Sequence, residues 1–168
     1  MPGGKAIRVV DIVKRYGNFT AVNGVSFDVA EGEIFGLLGP NGAGKSTLIR
    51  MMTTLLEITS GAAYIEGYDV RKDADKARRC MGVIPQAMTS DGDLTVWENL
   101  SIYSKLYGIP TDERERSIDE LLQLVDLTQW RDAPARNLSG GMRRRLEIAR
   151  GLVHRPRIFF LEDRKSVV

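Results

Sequence analysis

The sequence predicts an α/β fold, and three observations carry that prediction. The nonapeptide Gly39-Pro40-Asn41-Gly42-Ala43-Gly44-Lys45-Ser46-Thr47 fits the pattern G-x-x-x-x-G-K-[ST]. Its flanks have the required texture: Ile34-Phe35-Gly36-Leu37-Leu38 reads as a buried strand, and Leu48-Ile49-Arg50-Met51-Met52 as a helix ending near Leu56. Near the other end, Ile158-Phe159-Phe160-Leu161 is a run of four apolar residues, as expected of a central parallel strand buried on both faces.

The strand–loop–helix unit carries a definite chemistry. Glycines let a loop turn its N–H groups inward where a side chain would block the approach. Those N–H groups and the N-terminus of the following helix make a cradle for anionic phosphate. Lys45 would reach phosphate oxygens as a point charge, and the Ser46 hydroxyl would serve a Mg²⁺ ion. Nucleotide binding is the reading of Gly39, Asn41, Gly42, Ala43, Gly44, Lys45, Ser46 and Thr47.

Around this unit the remaining elements fall in order. Ile7 to Val13 is β-branched and apolar, and reads as a strand. Val25, Phe27 and Val29 alternate with polar residues, the pattern of a half-buried strand. Ala62 to Glu66 reads as a short strand before Gly67, Asp73 to Arg79 as a short helix, and Met81 to Ile84 as a strand stopped by Pro85. Thr95-Val96-Trp97-Glu98 has the form of a capping box, so a helix should run from there to about Tyr107, with Gly108 as its stop. A second helix should begin at Thr111 or Asp112, with Ile118, Leu121, Leu122 and Val125 on one face. A third begins near Ser139, with Met142, Leu146, Ala149 and Val153 as its buried stripe. Residues 87 to about 136 thus read as a helical insert between strands. Trp97, Tyr103 and Tyr107 lie in it, with core packing their expected role.

Composition bounds the rest. The chain has 168 residues, 43% apolar and 27% charged, in the range of an ordinary globular domain. A net charge of +2 gives no footprint for nucleic acid. One cysteine, Cys80, excludes an internal disulfide and fits a reducing compartment. No stretch approaches the roughly 20 apolar residues of a membrane span, and no apolar signal core follows Met1. The expectation is a cytoplasmic protein that meets a membrane only through a partner.

The third helix opens with Leu138-Ser139-Gly140-Gly141-Met142. A capping serine followed by two glycines offers a second set of bare N–H groups at a positive helix end. Taken with the loop at 39–47, the chain resembles an ATP-binding cassette (ABC) ATPase over residues 5 to 161, with a Walker A motif upstream and an LSGGQ-type signature downstream. Met142 stands where Gln is commoner, a variant resembling the drug-resistance (daunorubicin-type) exporter branch. The resemblance implies a P-loop NTPase (RecA-like) core with an N-terminal antiparallel β subdomain and an inserted helical subdomain, incomplete at its C-terminus. The implied parts are residues 1–86, 87–136 and 137–163, with 164–168 unlike the family.

The family implies ATP and Mg²⁺ as ligands, a transmembrane transporter subunit as partner, and a second ATPase subunit in a head-to-tail dimer. Each ATP would lie between one copy's Walker A and the other's Ser139, Gly140 and Gly141. By position, Tyr16 matches the aromatic that stacks on adenine, and Gln86 the glutamine that touches Mg²⁺ and the attacking water. The protein would sit on the inner face of the cell membrane through its partner. Arg143, Arg144 and Arg145 read as a solvated helix face, with a share in dimer electrostatics as the alternative. His154 reads as a surface residue near the helix end.

The chain departs from the family after Leu161. Walker B should continue with Asp for Mg²⁺ and then Glu for water, whereas the sequence has Glu162-Asp163. Glu162 then occupies the metal position with one methylene too many, and Asp163 the catalytic position with one too few. Since a misplacement of about 1 Å can cost on the order of a hundredfold in rate, weak hydrolysis is expected. Two other readings stand beside the transporter ATPase: a soluble ABC ATPase without a transporter, and a non-catalytic regulatory nucleotide-binding domain.

Overall fold

The computed structural model describes residues 4–162, which form two compact units, one up to Met81 and one from Gly82 onward. The first unit is built on a twelve-residue hairpin pair, β1 (Lys5–Tyr16) and β2 (Phe19–Ala30). β3 (Ser60–Ile65) joins the other edge of β1, and the short β4 (Tyr68–Asp69) follows. The order is β2-β1-β3-β4, antiparallel throughout. This is the antiparallel β part that the sequence implied. Ile7, Val9 and Ile12 of β1 and Val22 and Val29 of β2 are buried; Ile7 and Val9 point the same way by alternation, and the phase changes before Ile12.

β1 is not regular. Asp11 has φ of 43°, and the ladder slips on either side of it. The Ser26 hydroxyl accepts from the Asp11 N–H at 2.7 Å and donates to its carboxylate at 2.9 Å. Across the bulge lies Gly61, where an added Cβ would be 2.2 Å from the Asp11 carbonyl oxygen. The bulge is therefore fixed by a hydroxyl on one side and by a missing side chain on the other. β3 and β4 are joined by Glu66 and Gly67, both at positive φ, the conformation of a tight two-residue hairpin.

The helix after the phosphate loop, α1 (Lys45–Met52), packs on β2 and β3 with Leu48, Met51 and Met52 buried. It stops four residues before the expected Leu56. The Thr53 hydroxyl donates to the Ile49 carbonyl, and Thr54 turns to φ of 64°, which ends the ladder. A second correction concerns Ile34 to Leu38. No strand forms there: Ile34 is fully exposed and Leu38 is 83% exposed. An apolar run becomes a strand only when a ladder takes up its N–H and C=O groups, and the sheet of this unit does not include the segment. Phe35 stacks on Phe27 of β2 at 5.0 Å, and Leu37 is half-buried. α2 (Ala74–Cys80) closes the unit.

The second unit starts with β5 (Met81–Ile84), whose first residue belongs to the first unit, and ends with β6 (Ile158–Leu161); the two pair as a small sheet. β6 is not buried on both faces as expected. Ile158 and Phe160 are buried, Phe159 is half-buried and Leu161 is exposed, because β5 is its one neighbour in this sheet. Between the strands lie α3 (Val96–Leu106), α4 (Thr111–Leu124) and α5 (Gly140–Leu152). The Thr95 capping box is present in both directions, and Gly108 at φ of 73° follows the end of α3. Val96, Leu100, Ile118, Leu122, Leu127 and Leu146 interlock as the core of the helices. Trp97 and Tyr103 pack against it, and the Trp97 ring carries the Arg131 guanidinium at 5.3 Å. His154 is half-buried rather than fully at the surface, its ring stacked on Tyr107 with centroids 3.8 Å apart.

Candidate nucleotide site and the signature helix

In the first unit, the phosphate loop takes its shape from two glycines. Gly42 and Gly44 both have φ of 84°, a region L side chains rarely enter. Gly44 is doubly constrained, since a Cβ there would lie 2.3 Å from the Ala21 carbonyl oxygen and 3.1 Å from Val22 Cγ2. The loop thus rests directly on the backbone of β2. Gly44 is the N-cap of α1 and no side chain caps this end, so its positive pole is left to an incoming anion. No acidic residue occupies the first turn. Lys45 reaches back over the loop and donates to the Gly39 carbonyl at 2.5 Å and the Pro40 carbonyl at 2.8 Å. Asn41, Gly42, Ala43 and Ser46 are exposed and Thr47 is half-buried. Tyr16, at the end of β1, is 49% exposed, with Lys14 Nζ 5.1 Å from its ring centre. The residues suit a polyphosphate: two backbone turns, one cation, one hydroxyl and an uncapped helix start. Among the described residues no group of three His, Cys, Asp or Glu side chains could hold a metal ion.

In the second unit, Ser139 caps α5 by accepting from the Met142 N–H at 3.3 Å. Ser139, Gly140 and Gly141 are exposed, and a Cβ on either glycine would meet nothing within 4 Å. Packing among the described residues gives no reason for glycine at those two positions. Gln86 is exposed just beyond β5. Glu162 follows β6, its N–H donating to the Ile84 carbonyl at 3.1 Å. Asp163 lies outside the described residues. The structure brings together Gln86, the signature helix and Glu162 in one unit, and the loop with Tyr16 in the other.

The three arginines after the signature are not a solvated face. All are half-buried and each is aimed at backbone carbonyls. Arg143 donates to Ala135 at 3.3 Å. Arg144 donates to Pro85 at 2.7 Å and to Glu162 at 3.2 Å. Arg145 donates to Val125 at 3.2 Å and to the Asp126 carboxylate at 2.9 Å, capping the end of α4. Carbonyls at element ends lack ladder partners, and a guanidinium with five donors supplies them.

Two further residues of α5 escape a reading by motif. Glu147 and Arg150 are 3% and 5% exposed and pair at 2.8 Å. Glu147 also accepts from the Thr89 N–H at 2.8 Å, the Ser90 N–H at 2.6 Å and the Thr89 hydroxyl at 2.9 Å. Arg150 donates to the Thr89 hydroxyl at 3.0 Å and lies 4.1 Å from the Tyr103 ring centre. Burial, the largest effect, pushes the Glu147 carboxyl up. The Arg150 charge and the hydrogen bonds from Ser90 and Thr89 together outweigh it, holding the group below its ordinary value. An acid and a base three apart, beside buried Leu146 and Ala149, were the available signal.

Fold and site together define a nucleotide-binding protein of the phosphate-loop class. Comparison with known proteins narrows this. The ABC transporter family model matches residues 22–164. The chain is 42% identical over 157 residues to Nod factor export ATP-binding protein I of Ralstonia nicotianae, covering 94% of this chain and 49% of that protein. It is 39% identical over 157 residues to the linearmycin resistance ATP-binding protein LnrL of Bacillus subtilis, covering 94% and 50%. Among solved structures, cbiO1 from Clostridium perfringens, described as part of the ABC transporter complex cbiONQ, superposes with a TM-score of 0.86 at 25% identity over 98% of this chain and 67% of that one. The chain belongs to the ABC transporter ATP-binding family. It spans about half the length of these two curated relatives. Among the described residues no helix is long and apolar enough to cross a membrane.

Proposed function

We propose that this chain is part of the ATP-hydrolysing subunit of an ABC transporter, of the export type. The observation that carries it is the loop at 39–47, pressed on β2 by Gly44 and presenting Lys45 at an uncapped helix start. Relatives named for Nod factor export and linearmycin resistance favour an exporter. Lys45 and the loop N–H groups hold the phosphates of ATP, Tyr16 stacks on the base, and Ser46, Gln86 and Glu162 are the groups available to Mg²⁺. The metal supplies charge neutralisation on the phosphates. Ser139, Gly140 and Gly141 contact the nucleotide of a second copy in a head-to-tail dimer, a reading supported by the open space around both glycines among the described residues. The helices within 87–136 meet a transmembrane partner, and the subunit lies on the inner membrane face through it. With Glu162 and Asp163 in reversed order, this chain binds ATP and turns it over slowly.

The test is equilibrium binding of the fluorescent analogue TNP-ATP, with Lys45→Ala as the control. Loss of one charge-assisted phosphate contact should weaken binding by at least about tenfold. Equal binding by both proteins overturns the reading. Brisk turnover of radiolabelled ATP by residues 1–168, abolished by Lys45→Ala, overturns slow hydrolysis.

A further inference from the structure

One polar face of α5 grips the segment that follows β5 at both of its ends. Arg144, Glu147 and Arg150 are spaced three apart and so lie along one side of the helix. Arg144 holds the carbonyl of Pro85, immediately before Gln86. Glu147 holds the N–H groups of Thr89 and Ser90, and Arg150 the Thr89 hydroxyl. Between these anchors only Gln86, Ala87 and Met88 are left, all exposed. The second donor of Arg144 holds the Glu162 carbonyl. One helix therefore fixes the backbone on either side of Gln86 and at the strand-end acid.

We propose that Arg144, Glu147 and Arg150 are positioning residues that clamp the Gln86 loop to the signature helix, so that Gln86 and Ser139–Gly141 shift as one piece. The consequence rests on the ATPase reading above. On that reading Gln86 would serve the nucleotide of its own copy, and Ser139–Gly141 that of the second copy. A displacement of α5 by one nucleotide is then delivered to Gln86 beside the other, with no intervening flexible segment. The anchors are strong for their size. Glu147 accepts three hydrogen bonds from the segment and an ion pair from Arg150 while 3% exposed. Gln at 147 would keep acceptors for the two N–H groups and lose the charge that Arg150 requires. Arg144→Gln shortens the side chain and removes the guanidinium fork whose two ends hold the two carbonyls.

The test uses the full-length protein containing this chain, with Arg144→Gln and Glu147→Gln. Three quantities are read: TNP-ATP affinity, kcat and KM for ATP, and amide hydrogen exchange over 85–92 and over 96–106. The clamp predicts affinity within about twofold of the unsubstituted protein, kcat lowered by at least about tenfold and KM little changed, as for a group that acts only once ATP is bound. It predicts faster exchange over 85–92 with α3 as protected as before. Unchanged exchange over 85–92 in both variants overturns it, as does fast exchange there with kcat unchanged. If Glu147→Gln also deprotects α3, it acts by holding the fold. Arg144→Gln then decides, because its side chain is half-buried and donates to the Pro85 and Glu162 carbonyls. If the unsubstituted protein neither binds nor hydrolyses ATP, the ATPase reading falls, while exchange over 85–92 still rules on the clamp.

Discussion

Gly44 offers the sharpest test of how the phosphate loop is held, because Gly42 supplies its own control. Both residues have φ of 84°, so alanine at either position incurs the left-handed penalty of about 1–2 kcal/mol. At Gly42 a Cβ meets nothing within 4 Å, and the cost should stop there. At Gly44 the Cβ lies 2.3 Å from the Ala21 carbonyl oxygen, against an ordinary C···O contact of about 3.3 Å. The neighbour is backbone within a paired strand and cannot swing aside. Relief of an overlap of about 1 Å costs a further 1–3 kcal/mol or so, as in overpacked cores. Gly44→Ala should therefore lose about 2–5 kcal/mol and Gly42→Ala about 1–2 kcal/mol. Urea unfolding followed by far-UV circular dichroism measures both, and TNP-ATP titration shows whether the loop has moved. If Gly44→Ala is no more destabilised than Gly42→Ala and binds as well, the loop does not rest on β2 as described.

Glu147 gives a pH signature. Its carboxyl is held below its ordinary value of 4.5, so the stability it confers is fully present above that pH and is lost as pH falls through the lowered value. The gap in stability between the unsubstituted chain and Glu147→Gln should thus be widest near neutrality and narrow steadily below pH 4.5, measured by urea unfolding at a series of pH values. Leu146→Ala, in the fully buried centre of the helical core, should cost about 2–5 kcal/mol by the same unfolding assay.

Much of the first unit was legible because its signals are local. Alternation along Val25, Phe27 and Val29 and the Gly-rich loop depend on neighbours in sequence. The same holds for the Thr95 box, where the hydroxyl and Glu98 carboxylate reach each other's backbone N–H. Ile34 to Leu38 failed for the complementary reason. An apolar run states that burial is favourable, and a ladder partner must come from elsewhere; here none pairs with it. The site residues named by motif are backbone-defined and could be found by pattern. Arg144, Glu147 and Arg150 could not, since their partners lie about sixty residues away at Pro85, Thr89 and Ser90. A run of three arginines looks the same in sequence whether it faces water or three sets of carbonyls.

The two glycines that open α5 have a practical meaning. Open space around both, in a helix whose core contacts begin further along, makes them silent to folding. Alanine there is the better helix former by about 0.5–1 kcal/mol, so Gly141→Ala should leave the chain as stable or slightly more so. On the proposed head-to-tail dimer, any function it loses would arise where the second copy approaches that helix end. On that proposal this pair would report on assembly without disturbing folding.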